Sequence, residues 1–480
     1  MDEEYNDCVD MGSALLISTY EMGRQPFGLA SAAAWLRAAG WTVATVDAAK
    51  ETLRLEYLSG PELIAFHLPM HTATRLAGPV IAAARRVNPS ARLCAFGLYA
   101  PLNAEWLRGL GVDEIFGGEF EEDLAALARS LGESGAGLHA CVPPAGLTPR
   151  ATPPLRAAQS SRAIPLPRIH FLVPDRSGLP PLSHYATLQM PGGERRSAGY
   201  TEASRGCRHL CRHCPVVPIY EGQFRVVQAD VVLADVAAQV AAGAEHITFG
   251  DPDFFNGPTH AMRIVSALHA AHPRVSYDVT IKVEHLLRHR GLVSQLAATG
   301  CAFVTSAIES VDDEVLRLLE KGHTRADVLA AVALCREAGV TLVPTFVAFH
   351  PWLTLTSYCD LLDTIHELDL VGHVSPIQLA IRLLVPQGSR LLDADAMRAH
   401  LGAFDAETLT YRWTHPDPRV DQLQRDVMAL VGTRLTADRR HLFDEVRAVA
   451  HDRAGLACPP DTRPARARAT VPYLNEPWYC

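Results

Sequence analysis

The strongest constraint on this chain is an alternation in which short apolar runs are each followed by a stretch of helical period. Between Ser13 and about Leu131 the runs are Ala14–Thr19, Thr42–Asp47, Glu62–Leu68, Arg92–Gly97 and Asp113–Phe116, and stretches such as Leu29–Ala39 carry Ala and Leu at helical spacing. Repeated strand and helix build a parallel sheet with helices on both faces. These units predict a Rossmann-like or flavodoxin-like layer over residues 11–132, whose ligand crevice lies beyond the carboxyl ends of the strands.

Residues 133–195 break the pattern with GESGAG, VPPAG, TPRATPPL and PLPRIH, the composition of a linker or an extended wrap. The alternation then resumes at Tyr200–Ser204, Glu245–Phe249, Ser276–Ile281, Ala302–Ile308, Thr341–Val347 and Val374–Ile381, which predicts a partial (β/α)6 barrel over residues 196–392. Residues 393–480 show helical periodicity at Val420–Leu430 and Arg439–Val449, then a Pro/Arg-rich stretch and the tail YLNEPWYC. The expected class is α/β, with a Rossmann-like sheet, a partial barrel and a helical C-terminal extension.

Forty-four Lys and Arg against 53 Asp and Glu give a net charge of −9, which argues against nucleic acid as a partner. The longest apolar runs, such as Val231–Ala242, stop well short of a membrane span. Met1–Asp10 is acidic where a secretory signal would be basic, so a cytoplasmic location is expected.

Of 11 cysteines, three are crowded: Cys207, Cys211 and Cys214 stand at C-x3-C-x2-C, on a loop after a predicted strand. Soft thiolates select iron–sulfur clusters, zinc or Cu(I), and three on one loop can hold three corners of a cubic cluster. A zinc site using Cys211 and Cys214 with His209 or His213 is the competing reading, but no second ligand pair stands out.

The segment YTEASRGCRHLCRHCPVVPIY resembles the signature of the radical S-adenosylmethionine (SAM) superfamily over about residues 196–392, and the layer before it resembles the subgroup with a cobalamin-binding-type domain. The resemblance implies a [4Fe-4S] cluster on Cys207, Cys211 and Cys214, SAM on the open iron, and reductive cleavage of SAM. It also implies a reducing electron donor, such as flavodoxin or ferredoxin, and a small-molecule substrate. His213 takes the place where the family often has an aromatic residue. By the same resemblance Gly250, Asp251 and Asp253 in HITFGDPDFFNGP fall at the motif contacting the SAM amino group, Asp251 foremost, and Glu309 in AIES falls at the SAM-binding glutamate. Lys282 and Arg382, near the ends of later strands, are candidates for the SAM carboxylate or the substrate.

Cobalamin is carried as a third expected cofactor. The loop STYEMGRQPFGLA has no histidine for lower-axial ligation, while GRQPFGLA, His67–Thr72 and FGGEF resemble the subgroup's loops around the nucleotide tail. His67 and His71 otherwise read as satisfied loop histidines.

The ending VPYLNEPWYC resembles radical SAM proteins named for a Cys-Sec-Ala-Glu-Pro or Cys-Cys-Ala-Glu-Pro tail, up to its first cysteine. That likeness implies a selenocysteine after Cys480; paired soft chalcogens there would give Cys480 a reactive role and suit a thiophilic metalloid compound such as one of arsenic, while the alternative is a docked tail whose aromatics plug a groove. The rival expectation from another class is a zinc- or corrinoid-binding carrier or sensor that cleaves no SAM.

Overall fold

The structure, a computed structural model, describes residues 12–135, 168–432, 434, 438–459 and 471–475. The N-terminal strands are β1 (Ser13–Ser18), β2 (Thr42–Asp47), β3 (Leu63–His67), β4 (Arg92–Phe96) and β5 (Glu114–Phe116), all parallel in the order β2-β1-β3-β4-β5. Alternation along the strands sorts their side chains between two cores. Leu15, Ile17, Ile64 and Phe66 pack with Ala77, Ile81 and Ala84 of the helix His71–Val87. Leu16, Ala65 and Phe96 pack on the other face with Leu29, Ala33 and Leu36 of the helix Phe27–Ala38. Adjacent strands β1 and β3 therefore send their helices to opposite faces, which opens a crevice at their carboxyl ends, where Ser18 and His67 stand in register.

The second body is a curled seven-stranded sheet of order β13-β12-β11-β10-β7-β6-β16. Its parallel strands are β7 (Arg195–Thr201), β10 (His246–Phe249), β11 (Ser276–Thr280), β12 (Cys301–Glu309) and β13 (Leu342–Phe346). Two short antiparallel strands, β6 (Thr187–Gln189) and β16 (Tyr473–Leu474), extend the β7 edge. The hairpin β8 (Ser204–Gly206) and β9 (Phe224–Val226) stands apart and frames the cysteine loop. A hairpin of β14 (Leu401–Asp405) and β15 (Thr410–Trp413), then the helices Pro418–Gly432 and Arg439–Ala454, cover the outside. No helix among the described residues is long and apolar enough to cross a membrane.

The expected sixth barrel strand at Val374–Ile381 is instead a 3-10 turn, Pro376–Leu379, followed by a single bridge between Phe349 and Arg382. Pro376 has no N–H to give to a ladder. The outer edge of β13 is met by a side chain, since Phe346 N donates to Gln378 Oε1 at 3.0 Å.

The tail strand is held by few contacts. Asn475 N donates to Thr187 O at 2.8 Å, and the Arg439 guanidinium lies 4.8 Å from the centroid of the Tyr473 ring. Tyr473→Ala removes that stacking, worth about 0.5–1 kcal/mol at a partly exposed site. Hydrogen exchange at the Asn475 amide should accelerate severalfold in this variant, while amides of β10 and β11 keep their protection.

Candidate active site

The β8–β9 hairpin presents residues 207–223 as a loop between the two bodies. Gly206, which ends β8, has φ +76°, and a Cβ there would strike Gln223 O and the Tyr220 ring. Cys207 and Cys211 are buried and Cys214 half-buried. Bonds from distant segments clamp the loop: Arg212 N donates to Leu319 O at 3.0 Å, Arg390 Nη1 to Leu210 O at 2.7 Å, and Arg208 N to Asn256 Oδ1 at 3.2 Å.

Burial pushes the Cys207 thiol up to about 11 and the Cys214 thiol up to about 12. Such thiols stay protonated at neutral pH unless a metal displaces the proton. Lys282 Nζ donates to Cys211 Sγ at 3.7 Å, a cation set beside the sulfur.

Carboxylates and imidazoles from the strand ends surround the loop. Glu309 ends β12 in the left-handed region, with φ +72°, an uncommon conformation for a residue with a Cβ. Its Oε1 lies 3.1 Å from His213 Nε2 and 3.6 Å from Lys321 Nζ. Burial opposes its charge, but Lys321 and His213 together hold the carboxyl well below its ordinary range. Asp253 caps the turn Phe254–Asn256 and lies 2.7 Å from His285 Nδ1 and 3.4 Å from His209 Nε2; burial raises its pKa, and the two imidazoles bring it below the ordinary value.

Asp251 is spent within the scaffold. Its oxygens accept from Ala203 N at 2.9 Å and Ser204 Oγ at 2.5 Å, and burial still lifts it to about 7. Gly250 follows β10 against the Tyr200 ring, where a Cβ would have no room. Arg382 is not gathered with the others: it pairs with Asp421 at 2.6 Å and its guanidinium lies 3.8 Å from the Trp413 ring centroid. Cys480 lies outside the described residues.

These donors fit an iron–sulfur cluster with one open iron. Three soft thiols share one clamped loop, and Lys282 donates to one of them. Cys207, His209 and Asp253 also bring donor atoms within 4.8 Å of one another, the one such group among the described residues. Asp253, however, is already engaged by His285 and by the turn it caps.

One feature that sequence reasoning missed ties this loop to the N-terminal layer. Arg205, two residues before Cys207, is buried with Glu121 at 2.7 Å, Glu202 at 2.7 Å and Glu119 at 3.6 Å. The only hint in the sequence was the run of carboxylates in FGGEFEED, placed where a buried loop would need a cation. Tyr220 Oη donates to Glu119 Oε1 at 3.2 Å, and Leu98, from the loop after β4, packs with Cys207, Val216 and Tyr220.

Residues 201–365 match the family model described as Radical SAM superfamily. Two curated relatives match part of the chain. The hopanoid C-3 methylase of Methylococcus capsulatus is 24% identical over 151 residues, 32% of this chain and 29% of that protein. The tRNA-2-methylthio-N(6)-dimethylallyladenosine synthase of Chlorobium luteolum is 27% identical over 168 residues, 32% of this chain and 36% of that protein. The match thus spans about a third of each relative's length.

Among solved structures, the cobalamin-dependent SAM radical enzyme OxsB with aqua-cobalamin bound aligns at TM-score 0.66 and 13% identity, over 92% of this chain and 72% of that one. The radical SAM methyltransferase TsrM from Kitasatospora setae aligns at TM-score 0.56 and 20% identity, over 75% and 71%. These likenesses establish the fold. The cysteine-bearing curled sheet is the part of the chain that the Radical SAM superfamily model matches.

Two outcomes follow from the loop and its anchor. Gly206→Ala should distort the hairpin, and iron bound per chain after reconstitution should fall severalfold. Glu119 is pushed by burial from its ordinary 4.5 to about 7, with Arg205 opposing and Glu121 adding. Its folded form therefore keeps a proton that the unfolded chain has lost, and this group's contribution weakens as pH rises from about 4.5 to about 7. Denaturant unfolding at several pH values should show Glu119→Gln gaining on wild type across that window, by on the order of 1–3 kcal/mol, and levelling above it.

Proposed function

We propose that this protein is a radical SAM enzyme of the cobalamin-dependent, methyltransferase-like type, acting on a small molecule. The observation that carries this reading is a buried three-thiol loop, Cys207, Cys211 and Cys214, pressed between the carboxyl edge of a doubly wound layer and the mouth of a curled parallel sheet. When bound, the cluster supplies the electron that cleaves SAM, and cobalamin supplies a methyl carrier.

The three cysteines would hold the cluster, with Asn256, Arg390 and Leu319 keeping the loop in place. Glu309 and Asp253, both ionised, suit the SAM amino group, and Lys282 suits its carboxylate. Gly250 lets the chain after β10 pass close to Tyr200, and Asp251 fixes the turn that precedes the hairpin. Cobalamin would lie along the β1/β3 crevice. There the Ser18 Oγ is buried with no hydrogen-bond partner among the described residues, as a site for a polar group would leave it. His67 borders that crevice, stacked on Phe96 with ring centroids 5.2 Å apart.

Anaerobic reconstitution with iron and sulfide, followed by reduction in the presence of SAM, tests the reading. Wild type should show a cluster absorption band and SAM cleavage products, and Cys211→Ala should lose at least 100-fold in product formation. Protein purified with cobalamin should retain its visible spectrum through gel filtration. Absence of both cluster and cleavage would favour the carrier or sensor reading, and cleavage without cobalamin retention would exclude the methyl-transfer version.

A further inference from the structure

A cavity of about 430 Å³ lies inside the curled sheet, within the size range of small-molecule sites. One side is built by β10 to β13, which present Thr248, Thr280, Thr305 and Thr345 to it, and the opposite side is the tail segment 471–475. The two ends of the sheet, β13 and β16, thus face each other across a single chamber.

The N-terminal layer reaches into this chamber through the loop after β1. Met22 and Gly23 are consecutive left-handed residues, φ +49° and +71°, and they turn Arg24 toward the cavity. A non-glycine residue held in that region marks a place where the fold keeps a strained turn for a purpose. Two bonds fix the turn: Arg24 N donates to Glu21 O at 3.0 Å and Ala186 N to Gly23 O at 2.8 Å.

Arg24 lies with its guanidinium carbon 5.0 Å from the centroid of the Tyr200 ring. Its Nε is buried without a hydrogen-bond partner, and among the described residues no carboxylate oxygen lies within ion-pair distance of it. The acidic group on the chamber wall, Asp278, is already taken by His246 Nε2 at 2.8 Å and Thr248 Oγ1 at 2.6 Å. Arg439, the chamber's second guanidinium, is used by Gly372 O at 2.8 Å and by the Tyr473 ring. Among the described residues Arg24 is therefore a partly buried cation without a paired counter-charge, a costly arrangement unless a ligand supplies one.

We propose that this chamber binds a small molecule bearing a carboxylate or comparable oxyanion, and that Arg24 is the residue that anchors the anionic group. The inference rests on the radical SAM reading for the molecule's fate but not for its binding. The planar fork of Arg24 pairs two oxygens of such a group, while the threonine hydroxyls hydrogen-bond the remainder. The anion belongs either to SAM or to a second molecule, and the measurement separates them.

Reconstituted full-length protein would be dialysed anaerobically, at fixed ionic strength, against radiolabelled citrate and separately against SAM. Wild type, Arg24→Met and Arg24→Lys would be compared, with circular dichroism confirming that each variant is folded. At least tenfold weaker citrate binding in Arg24→Met, partly restored in Arg24→Lys and with SAM binding unchanged, assigns the anion to a second molecule. An equal loss for SAM assigns it to the SAM carboxylate. If Arg24→Met binds both probes as wild type does, or if wild type binds neither, the anchor is refuted. SAM cleavage by wild type in the same preparation shows whether the enzymatic reading survives independently.

Discussion

The arrangement of the whole molecule depends on one buried guanidinium. Arg205 belongs to the hairpin that carries the cysteines, Glu119 to the loop after β5, Glu121 to the first turn of the helix that follows, and the Phe171 ring, 4.8 Å from the guanidinium carbon, to the segment that joins the two bodies. Breaking a buried pair by removing one member leaves an uncompensated charge and costs about 3–5 kcal/mol, far more than a surface bridge contributes. Burial, opposed by Arg205 and reinforced by the neighbouring carboxylates Glu121 and Glu202, is why Glu119 keeps its proton near neutrality. The N-terminal layer therefore cannot shift without moving a residue two positions from a cysteine.

The same logic of paired charges runs through the loop itself. Burial makes free thiols poor ligands in waiting, because their protons are held to about 11 and 12. A metal must displace those protons, and Lys282 beside Cys211 lowers the cost of the resulting negative charge. Glu309 accepts a strained backbone conformation to stand between His213 of the loop and Lys321 of the next turn. Backbone strain, buried charge and loop position are thus one constraint, since relaxing Glu309 would release the loop.

Much of this was legible in the sequence because a central parallel strand such as Leu63–His67, buried along its length, leaves a continuous apolar run and an edge strand such as Thr42–Asp47 leaves an alternating one. Thr42–Asp47 was read to the residue, and Ser276–Ile281 to within one position of β11. The cysteine spacing pointed to the loop, and hence to the radical SAM resemblance. What the sequence hid depends on partners far away along the chain. Val374–Ile381 has a strand's composition, but Pro376 and the Gln378 side chain substitute for pairing. Asp251 carries the right chemistry for a ligand, yet Ser204 and Ala203 consume its oxygens. Tyr473–Leu474 is too short for any periodicity to mark it as a strand.

That last element bears most on how the sheet works. Without a sixth parallel strand, an open curled sheet would leave the inward faces of β12 and β13 to water, and their alternating half-buried threonines would be ordinary surface residues. The segment Tyr473–Leu474 closes the opposite side by adding to β6, the far edge of the same sheet, so enclosure comes from this strand rather than from another βα unit. Among the described residues, two strand pairs, the Asn475 N–Thr187 O bond and one cation–π contact hold this segment in place. The antiparallel strands β6 and β16 thus extend the β7 edge of the sheet so that the tail faces β12 and β13 across the cavity.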